Sequence, residues 1–304
     1  MATPTVGVMS PGDMGHSIGN VLRHGGLRVI TCLQGRSPRT AALAAEAGIV
    51  DVGDYETLVR EADILLSVLA PAQARALAER VAAAVRATGA DLLFVECNAI
   101  APQTVREIGT IVTAAGARFV DAGIIGSPPR PGERRTRIYA SGEHAAEFAQ
   151  LGQYGLDIRV IGSEIGQASG LKMCYAALTK GLTALATELL VAGEAMGLSA
   201  PLRAELQLSQ GMLLGWLERQ IPTMPPKAYR WVGEMEEIAA TFAALGLTPR
   251  MLEGAAALYR FVEQTPLGAE TPEQRQRGQT LDEVVAILVE ALPAAGVAAG
   301  ERRG

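Results

Sequence analysis

The sequence predicts an α/β fold: a doubly wound, mainly parallel sheet over residues 1–162, followed by an all-α domain over 163–304. Two observations carry this. Short apolar runs alternate with helical periodicities from Val6 to Ile161, and after Gly162 no strand-like run remains. A third observation is the opening of the chain. Val6-Gly7-Val8-Met9 runs directly into Ser10-Pro11-Gly12-Asp13-Met14-Gly15. A helical face of Met14, Ile18, Val21 and Leu22 follows and stops at Gly25-Gly26.

The remaining elements follow in order. Leu27–Leu33 is a second strand, ending in the basic turn Gln34-Gly35-Arg36-Ser37-Pro38-Arg39. Ala41–Glu46 is helical up to Gly48, and Tyr55–Glu61 precedes a strand at Ile64–Leu69. That strand ends at Ala70-Pro71, before an alanine-rich helix closed near Gly89. Leu92–Glu96 is another strand, followed by Cys97-Asn98-Ala99-Ile100 and a helix opened by Pro102, since proline suits the first helical position. Arg118–Ala122 is a strand, and Gly123 to Gly132 reads as an irregular loop rich in Gly and Pro. Arg137–Ser141, a helix over Glu143–Gly152 and a strand at Ile158–Ile161 complete this half. Strands separated by helices imply right-handed crossovers. One long helix without proline then runs from Gln167 to about Ala195. Further helices are expected at Ala200–Gln220, Tyr229–Leu245, Pro249–Thr265 and Leu281–Glu290, with a frayed tail around Gly296 and Gly300.

Strand, glycine turn, helix, strand and basic turn is the order of a Rossmann-type β-α-β unit that holds a dinucleotide. Ser10 stands where such turns usually carry their first glycine. Gly12 lets the backbone approach a pyrophosphate, Gly15 lets the helix pack closely, and Pro11, Asp13 and Met14 complete the turn. The helix N-terminus adds free N–H donors and a positive dipole end. The second strand ends without an Asp or Glu for a ribose 2′-hydroxyl. Arg36, Ser37 and Arg39 offer the chemistry of a 2′-phosphate, so the expected cofactor is NADP in preference to NAD. A simpler reading has Ser37 capping the helix that begins at Pro38, with the arginines solvated.

Composition narrows the field. At 304 residues the chain has room for two domains, and 49% apolar with 4% aromatic residues suits a helix-rich α/β protein. A net charge of −5 without a dominant basic block argues against a nucleic-acid partner. No apolar segment is expected to span a bilayer, and no signal peptide is read at the N-terminus. Cys32, Cys97 and Cys174 are scattered singly, as are the 3 histidines, so no metal spacing arises. A reduced, cytoplasmic protein is expected.

The junction carries the catalytic candidate. Gly166-Gln167-Ala168-Ser169-Gly170-Leu171-Lys172 places one lysine near the start of the long helix, where the two domains are expected to meet. A lysine there can protonate a carbonyl oxygen as hydride reaches its carbon, and take the hydroxyl proton in reverse.

With these residues in view, the chain resembles the β-hydroxyacid dehydrogenase superfamily, which includes 6-phosphogluconate and 3-hydroxyisobutyrate dehydrogenases. It is most similar to a phosphogluconate-dehydrogenase-like branch whose C-terminal domain has no assigned function. Ser10–Gly15 matches the family's G-L-G-x-M-G turn, Arg36-Ser37 its NADP-type turn, and Leu69-Ala70-Pro71 the loop passing the nicotinamide ribose. Cys97-Asn98-Ala99-Ile100-Ala101-Pro102 matches C-N-T-I-S-P, and Gly166 to Lys172 matches G-x-x-x-x-x-K. Tyr229 to Ile238 resembles the branch's characteristic helix. The resemblance implies Lys172 as the catalytic lysine, cofactor contacts from Leu69, Ala70 and Asn98, and a homodimer formed through the helical domain around Leu182–Ala192.

Departures from the family pattern disfavour either familiar substrate. The substrate loop S-G-G-x-x-G-A is here Ile125-Gly126-Ser127-Pro128-Pro129-Arg130-Pro131, and the asparagine one turn after the lysine is Ala176. Both lost groups normally hold a carboxylate or hydroxyl. Ser127, Tyr175 at i+3 from Lys172, and Glu234 are the replacement candidates. Tyr175 can equally be a packing residue, and Glu234 can be an ordinary ion pair with Arg230 at i−4. Lys180 is expected at the surface or in a dimer contact. Arg130, Arg134, Arg135 and Arg137 can meet an anionic substrate or simply solvate their loop.

The leading expectation is an NADP-dependent oxidoreductase interconverting a small 3-hydroxy acid, or a related hydroxy compound, and its carbonyl. Imine reduction on the same architecture and a non-catalytic NADP-binding sensor are the alternatives. Lys172 argues against the first of these, and the altered substrate loop keeps the second in play.

Overall fold

The computed structural model describes residues 3–133, 135–272 and 274–293. Arg134 and the expected tail therefore lie outside the described residues. Strands β1 (Thr5–Met9), β2 (Arg28–Thr31), β3 (Val50–Asp51), β4 (Ile64–Ser67), β5 (Leu93–Glu96), β6 (Arg118–Ile125), β7 (Arg137–Ser141) and β8 (Asp157–Gly162) form one sheet. Their order is β3-β2-β1-β4-β5-β6-β7-β8. All neighbours are parallel except β6 and β7. Helices α1 (Asp13–His24), α2 (Pro38–Glu46), α3 (Tyr55–Glu61), α4 (Ala74–Thr88), α5 (Pro102–Thr113) and α6 (Ala145–Ala149) alternate with these strands.

Successive strand residues point to opposite faces, and both faces are covered. Val6, Val8, Leu66, Val95 and Val120 pack with Ile18 and Leu22 of α1 and Phe148 of α6. Met9, Leu65, Phe94 and Phe119 pack with Leu58 of α3, Val81 of α4 and Ile108 of α5. A sheet buried on two sides needs strands that are apolar throughout, which is why they read as runs.

The chain divides into two compact units, Met1–Tyr175 and Ala176–Gly304, and the division falls inside α7 (Gln167–Ala195). The change of sequence pattern comes earlier, at 162, because the first turns of α7 still pack on the sheet. The second unit holds the rest of α7 with α8 (Ser199–Gln220), α9 (Ala228–Ala244), α10 (Arg250–Glu263) and α11 (Leu281–Glu290). Helix α8 is kinked at Gln210, whose φ of −137° and ψ of 34° are not helical.

Three expectations need correction, and one short strand was not anticipated. Strand β6 continues through Gly123 to Ile125, because these residues pair antiparallel with Tyr139, Ile138 and Arg137 instead of forming a loop. The helix expected over 143–152 is the short α6 followed by a 3-10 turn, Gln150–Tyr154, closed by Gly155 at φ +104°. The two-residue β3 carries too little pattern to be read. Helix α7 is long and apolar enough to cross a bilayer, with a window of mean hydropathy 1.2. Lys172, Lys180, Glu188 and Glu194, spread along the helix, masked that window, and 44% of it is buried within the protein.

Glycines in the first turn make unequal demands. A Cβ on Gly15 would lie 2.8 Å from the Ser10 carbonyl oxygen, a backbone atom that cannot yield cheaply. A Cβ on Gly12 would meet nothing closer than 3.9 Å. Gly15→Ala is expected to cost on the order of 1–3 kcal/mol in urea denaturation. Gly12→Ala should stay within about 0.5 kcal/mol of the parent in the same titration.

Candidate active site

At the end of β1 the chain turns through Ser10, whose φ of +56° lies in the left-handed region. Glycine is at ease there and serine is not, so this position stores strain of about 1–2 kcal/mol. The turn closes through Gly12 N–H donating to the Ser10 carbonyl at 2.6 Å. Helix α1 then begins behind Gly12, with no side chain capping it. First-turn amides without a side-chain acceptor, on an open glycine, form a cradle suited to a phosphate. Asp13, the first helical residue, would oppose an anion. Arg39 answers it at 2.6 Å.

The turn after β2 closes through Arg36 N–H to the Leu33 carbonyl at 2.9 Å, with Gly35 at φ +73°. Ser37 caps α2 by accepting from Thr40 N–H at 3.2 Å, so the capping role holds, and its hydroxyl proton still serves as a donor. Arg36 reaches Gln73 at 3.0 Å, across to the turn that follows Leu69 and Ala70. Leu69 N–H donates to Asn98 Oδ1 at 2.5 Å, and Asn98 Nδ2 donates to Ser67 Oγ at 2.8 Å. Asn98 thus ties the end of β4 to the end of β5 and is nearly buried.

One row of polar side chains crosses the sheet near the C-terminal ends of its parallel strands. The strand registers align Ser67 with Glu96, Glu96 with Asp121, and Asp121 with Ser141, and all four are buried. Glu96 accepts from Asn98 N–H at 2.9 Å and bonds Ser67 Oγ at 3.0 Å. Burial, reinforced by the nearby Asp121, pushes its carboxyl up to about 8 against the pull of these hydrogen bonds. Burial likewise raises the Cys97 thiol.

Asp121 receives four donors. Gly166 N–H lies at 2.9 Å, Ser169 N–H at 3.1 Å, Ser169 Oγ at 2.5 Å and Ser141 Oγ at 3.0 Å. Ser141 Oγ in turn accepts Ala168 N–H at 3.0 Å. A carboxylate at a helix N-terminus satisfies orphan amides and meets the positive end of the dipole. Here it fastens α7 to the sheet.

That attachment places Lys172. Gly123 of β6 has no Cβ, and one built there would lie 2.7 Å from the Ala168 carbonyl and 3.0 Å from Lys172 Cβ. The helix can therefore rest directly on the strand. Lys172 Nζ, half-buried, donates to the Ile124 carbonyl at 2.5 Å.

The other candidates have their own settings. Ser127 is exposed in the β6–β7 turn, where its carbonyl accepts from Thr136 Oγ1. Tyr175 is exposed on α7, and Ala176 is buried. Arg130 and Arg135 are exposed, and Arg137 belongs to β7. Glu234, in the helical unit, pairs with Lys180 instead of Arg230. Lys180 is accordingly not a surface residue: its side chain is 13% exposed, and Nζ sits 5.0 Å from the centroid of the Trp231 ring. Tyr259 packs edge-on against that indole and donates to the Lys180 carbonyl at 2.6 Å. Sequence reasoning missed Lys180 because a lone lysine on a helix carries no partner in its own spacing. It also missed Ser67, Glu96, Gly123, Asp121 and Ser169.

Strand-turn-helix geometry with an open glycine cradle defines a dinucleotide-binding domain, and comparison with known proteins agrees. Residues 5–174 match the NAD binding domain of 6-phosphogluconate dehydrogenase, and 194–262 match a domain of unknown function. The chain belongs to that 6-phosphogluconate dehydrogenase NAD-binding family and is an NAD(P)-dependent oxidoreductase. An uncharacterized 28.5 kDa protein of Methanothermus fervidus is 31% identical over 61% of this chain and 69% of its own. A solved conserved protein, described as structurally similar to 3-hydroxyacid dehydrogenases, is 31% identical with a TM-score of 0.65, covering 85% of this chain and 96% of its own. The 3-hydroxyisobutyrate dehydrogenase of Mycobacterium tuberculosis shares the fold at 19% identity and TM-score 0.66, covering 96% of this chain and 100% of its own. An imine reductase of Myxococcus stipitatus shares it at 19% identity and TM-score 0.55, with 96% and 100% covered.

Removing the charge of Asp121 tests the attachment of α7. Asp121→Asn keeps the shape but faces four donors with one acceptor oxygen, and is expected to cost roughly 2–4 kcal/mol. Amides 166–172 should then exchange hydrogen faster than those of α4. Unchanged protection there would contradict the anchoring role.

Proposed function

We propose that the chain is an NADP-dependent enzyme interconverting a small 3-hydroxy acid, or a related hydroxy compound, and its carbonyl, with Lys172 as general acid and base. The observation that carries this reading is the ammonium of Lys172, held by the Ile124 carbonyl on a helix that Asp121 pins to the sheet. A bound nicotinamide supplies the hydride or accepts it. Lys172 moves the proton: its ammonium donates to the carbonyl oxygen in reduction, and its neutral amine takes the hydroxyl proton in oxidation. Ile124 orients Nζ and carries no charge of its own.

Cofactor preference follows from the turn after β2. Arg39 is engaged by Asp13, so Arg36 and Ser37 carry the recognition of a 2′-phosphate. Ser10–Gly15 cradles the pyrophosphate, while Leu69 and Ala70, held by Asn98, border the nicotinamide ribose. Ser127, Tyr175 and Glu234 are proposed for the substrate. Imine reduction on the same architecture is the second reading; Ile125 and Ala176 remove two groups that would grip a carboxylate or hydroxyl, which keeps a non-catalytic NADP-binding sensor in play. Three free thiols support a reducing, cytoplasmic setting.

A homodimer is proposed through the helical unit. Leu178 and Leu185 of α7 and Leu208 and Met212 of α8 are exposed apolar side chains, more than an isolated helical unit would present to water.

Three experiments decide these points. NADPH should bind at least about tenfold tighter than NADH, and Arg36→Ala should erase most of the gap. NADPH oxidation against keto acids, semialdehydes and imines should reveal carbonyl reduction that falls on the order of 100-fold or more in Lys172→Ala. Imine reduction surviving that substitution would favour the second reading, and binding without turnover would favour a sensor. For the dimer, Leu185→Glu should halve the mass seen by light scattering while the circular dichroism spectrum stays unchanged.

A further inference from the structure

We propose that Glu96 is a positioning residue for the nicotinamide end of the cofactor site, and that it works as an uncharged acid while its neighbour Asp121 holds the negative charge. The proposal rests on the reading of Leu69, Ala70 and Asn98 as cofactor-binding.

Geometry distinguishes the two carboxyls. They occupy aligned positions on adjacent parallel strands, so they lie on the same face of the sheet, and both are buried. Two like charges so placed in a buried site repel strongly, and one of them is better neutralised. Asp121 faces four donors and the N-terminus of α7. Glu96 faces the backbone N–H and the side-chain amide of Asn98 and the hydroxyl of Ser67, with no helix N-terminus behind them. A hydroxyl can accept as readily as it donates, so the Glu96–Ser67 bond can be made with the proton on either oxygen. The charge therefore belongs on Asp121 and the proton on Glu96, in keeping with the raised carboxyl. The charged and titratable groups that act on Glu96 are Asp121 on β6 and the buried Cys97 thiol next to it in sequence; Lys172 of α7 donates to the Ile124 carbonyl, three residues beyond Asp121.

What Glu96 holds follows from its partners. Its Oε1 fixes the Asn98 backbone, and its Oε2 joins Ser67 Oγ, which also accepts Asn98 Nδ2. Asn98 Oδ1 then holds Leu69 N–H. The ends of β4 and β5, and the loops that leave them, are thereby set by one buried acid. Ionisation adds a second charge beside Asp121 and strains the whole row.

The test combines cofactor affinity and stability across pH 5–10 for the wild type, Glu96→Ala and Glu96→Gln. At pH 7, Glu96→Ala should weaken NADPH binding roughly tenfold through the unmet Asn98 and Ser67 groups. Glu96→Gln, which copies the neutral acid, should recover most of that loss. Wild-type affinity should fall as pH rises through about 8, with Glu96→Gln lacking that inflection. Stability supplies a readout independent of cofactor. The folded chain keeps the Glu96 proton to about pH 8, whereas the unfolded chain releases it near the ordinary 4.5. Stability from that proton is complete below 4.5, declines across the window and is absent above 8, so the thermal midpoint of the wild type should lose ground to Glu96→Gln between those limits and no further beyond. Parallel stability profiles, or a Glu96→Gln as impaired as Glu96→Ala, would overturn the proposal. Failure of the wild type to bind NADPH at any pH would instead sink the cofactor reading, leaving the stability comparison to decide the state of Glu96.

Discussion

The placement of the proposed catalytic lysine depends on the carboxylate of Asp121. It sits inside the sheet, where an unpaired charge would be prohibitive, and the protein meets that cost by folding the start of α7 onto it. The bargain is mutual. A helix N-terminus buried without acceptors would also be untenable. One interaction therefore solves two problems, and Lys172 inherits its position from the solution. Gly123 contributes by absence, since any side chain there would lift the helix off the strand.

The buried row also explains why the sheet tolerates polar groups in an apolar interior. Ser67, Glu96, Asp121 and Ser141 satisfy one another, the backbone of α7 and the loop after β5. Networks of this kind fix a single arrangement more sharply than apolar packing can, because slipping one strand would orphan several groups together. The helical unit uses a comparable device on a smaller scale. Lys180 and Glu234 pair against the Trp231 face, and Tyr259 packs edge-on against that ring and donates to the Lys180 carbonyl.

Much of this was legible in the sequence. The alternation of apolar runs and helical stripes predicted the sheet, its parallel character and the long helix through Ala195, because those elements bury wide faces and leave strong periodicities. The glycine turn was legible despite Ser10, since position between strand and helix carries more information than one residue. The row was harder to read. In hindsight its signal was present: the runs Ile64–Ser67, Leu93–Glu96 and Arg137–Ser141 each finish on a polar residue, and Phe119-Val120 is followed by Asp121. Only the register shows that these residues meet, and register is set by pairing across the sheet, not by local pattern. The ion pair of Glu234 was misread for the same reason: its partner lies 54 residues away, on another helix.

The division of the chain inside α7 bears on how the protein can be taken apart. Most two-unit proteins are joined by an exposed connector that a protease can enter, because its backbone is free to adopt the extended form that cleavage requires. Here the residues joining the two units, Tyr175 and Ala176, are mid-helix, each committed to the ladder of a 29-residue rod. Nicking the junction would mean melting several turns first. The tips of the surface loops, such as the proline-rich turn after β6, are the easier points of entry. Controlled digestion of this protein would trim its edges long before it released either half.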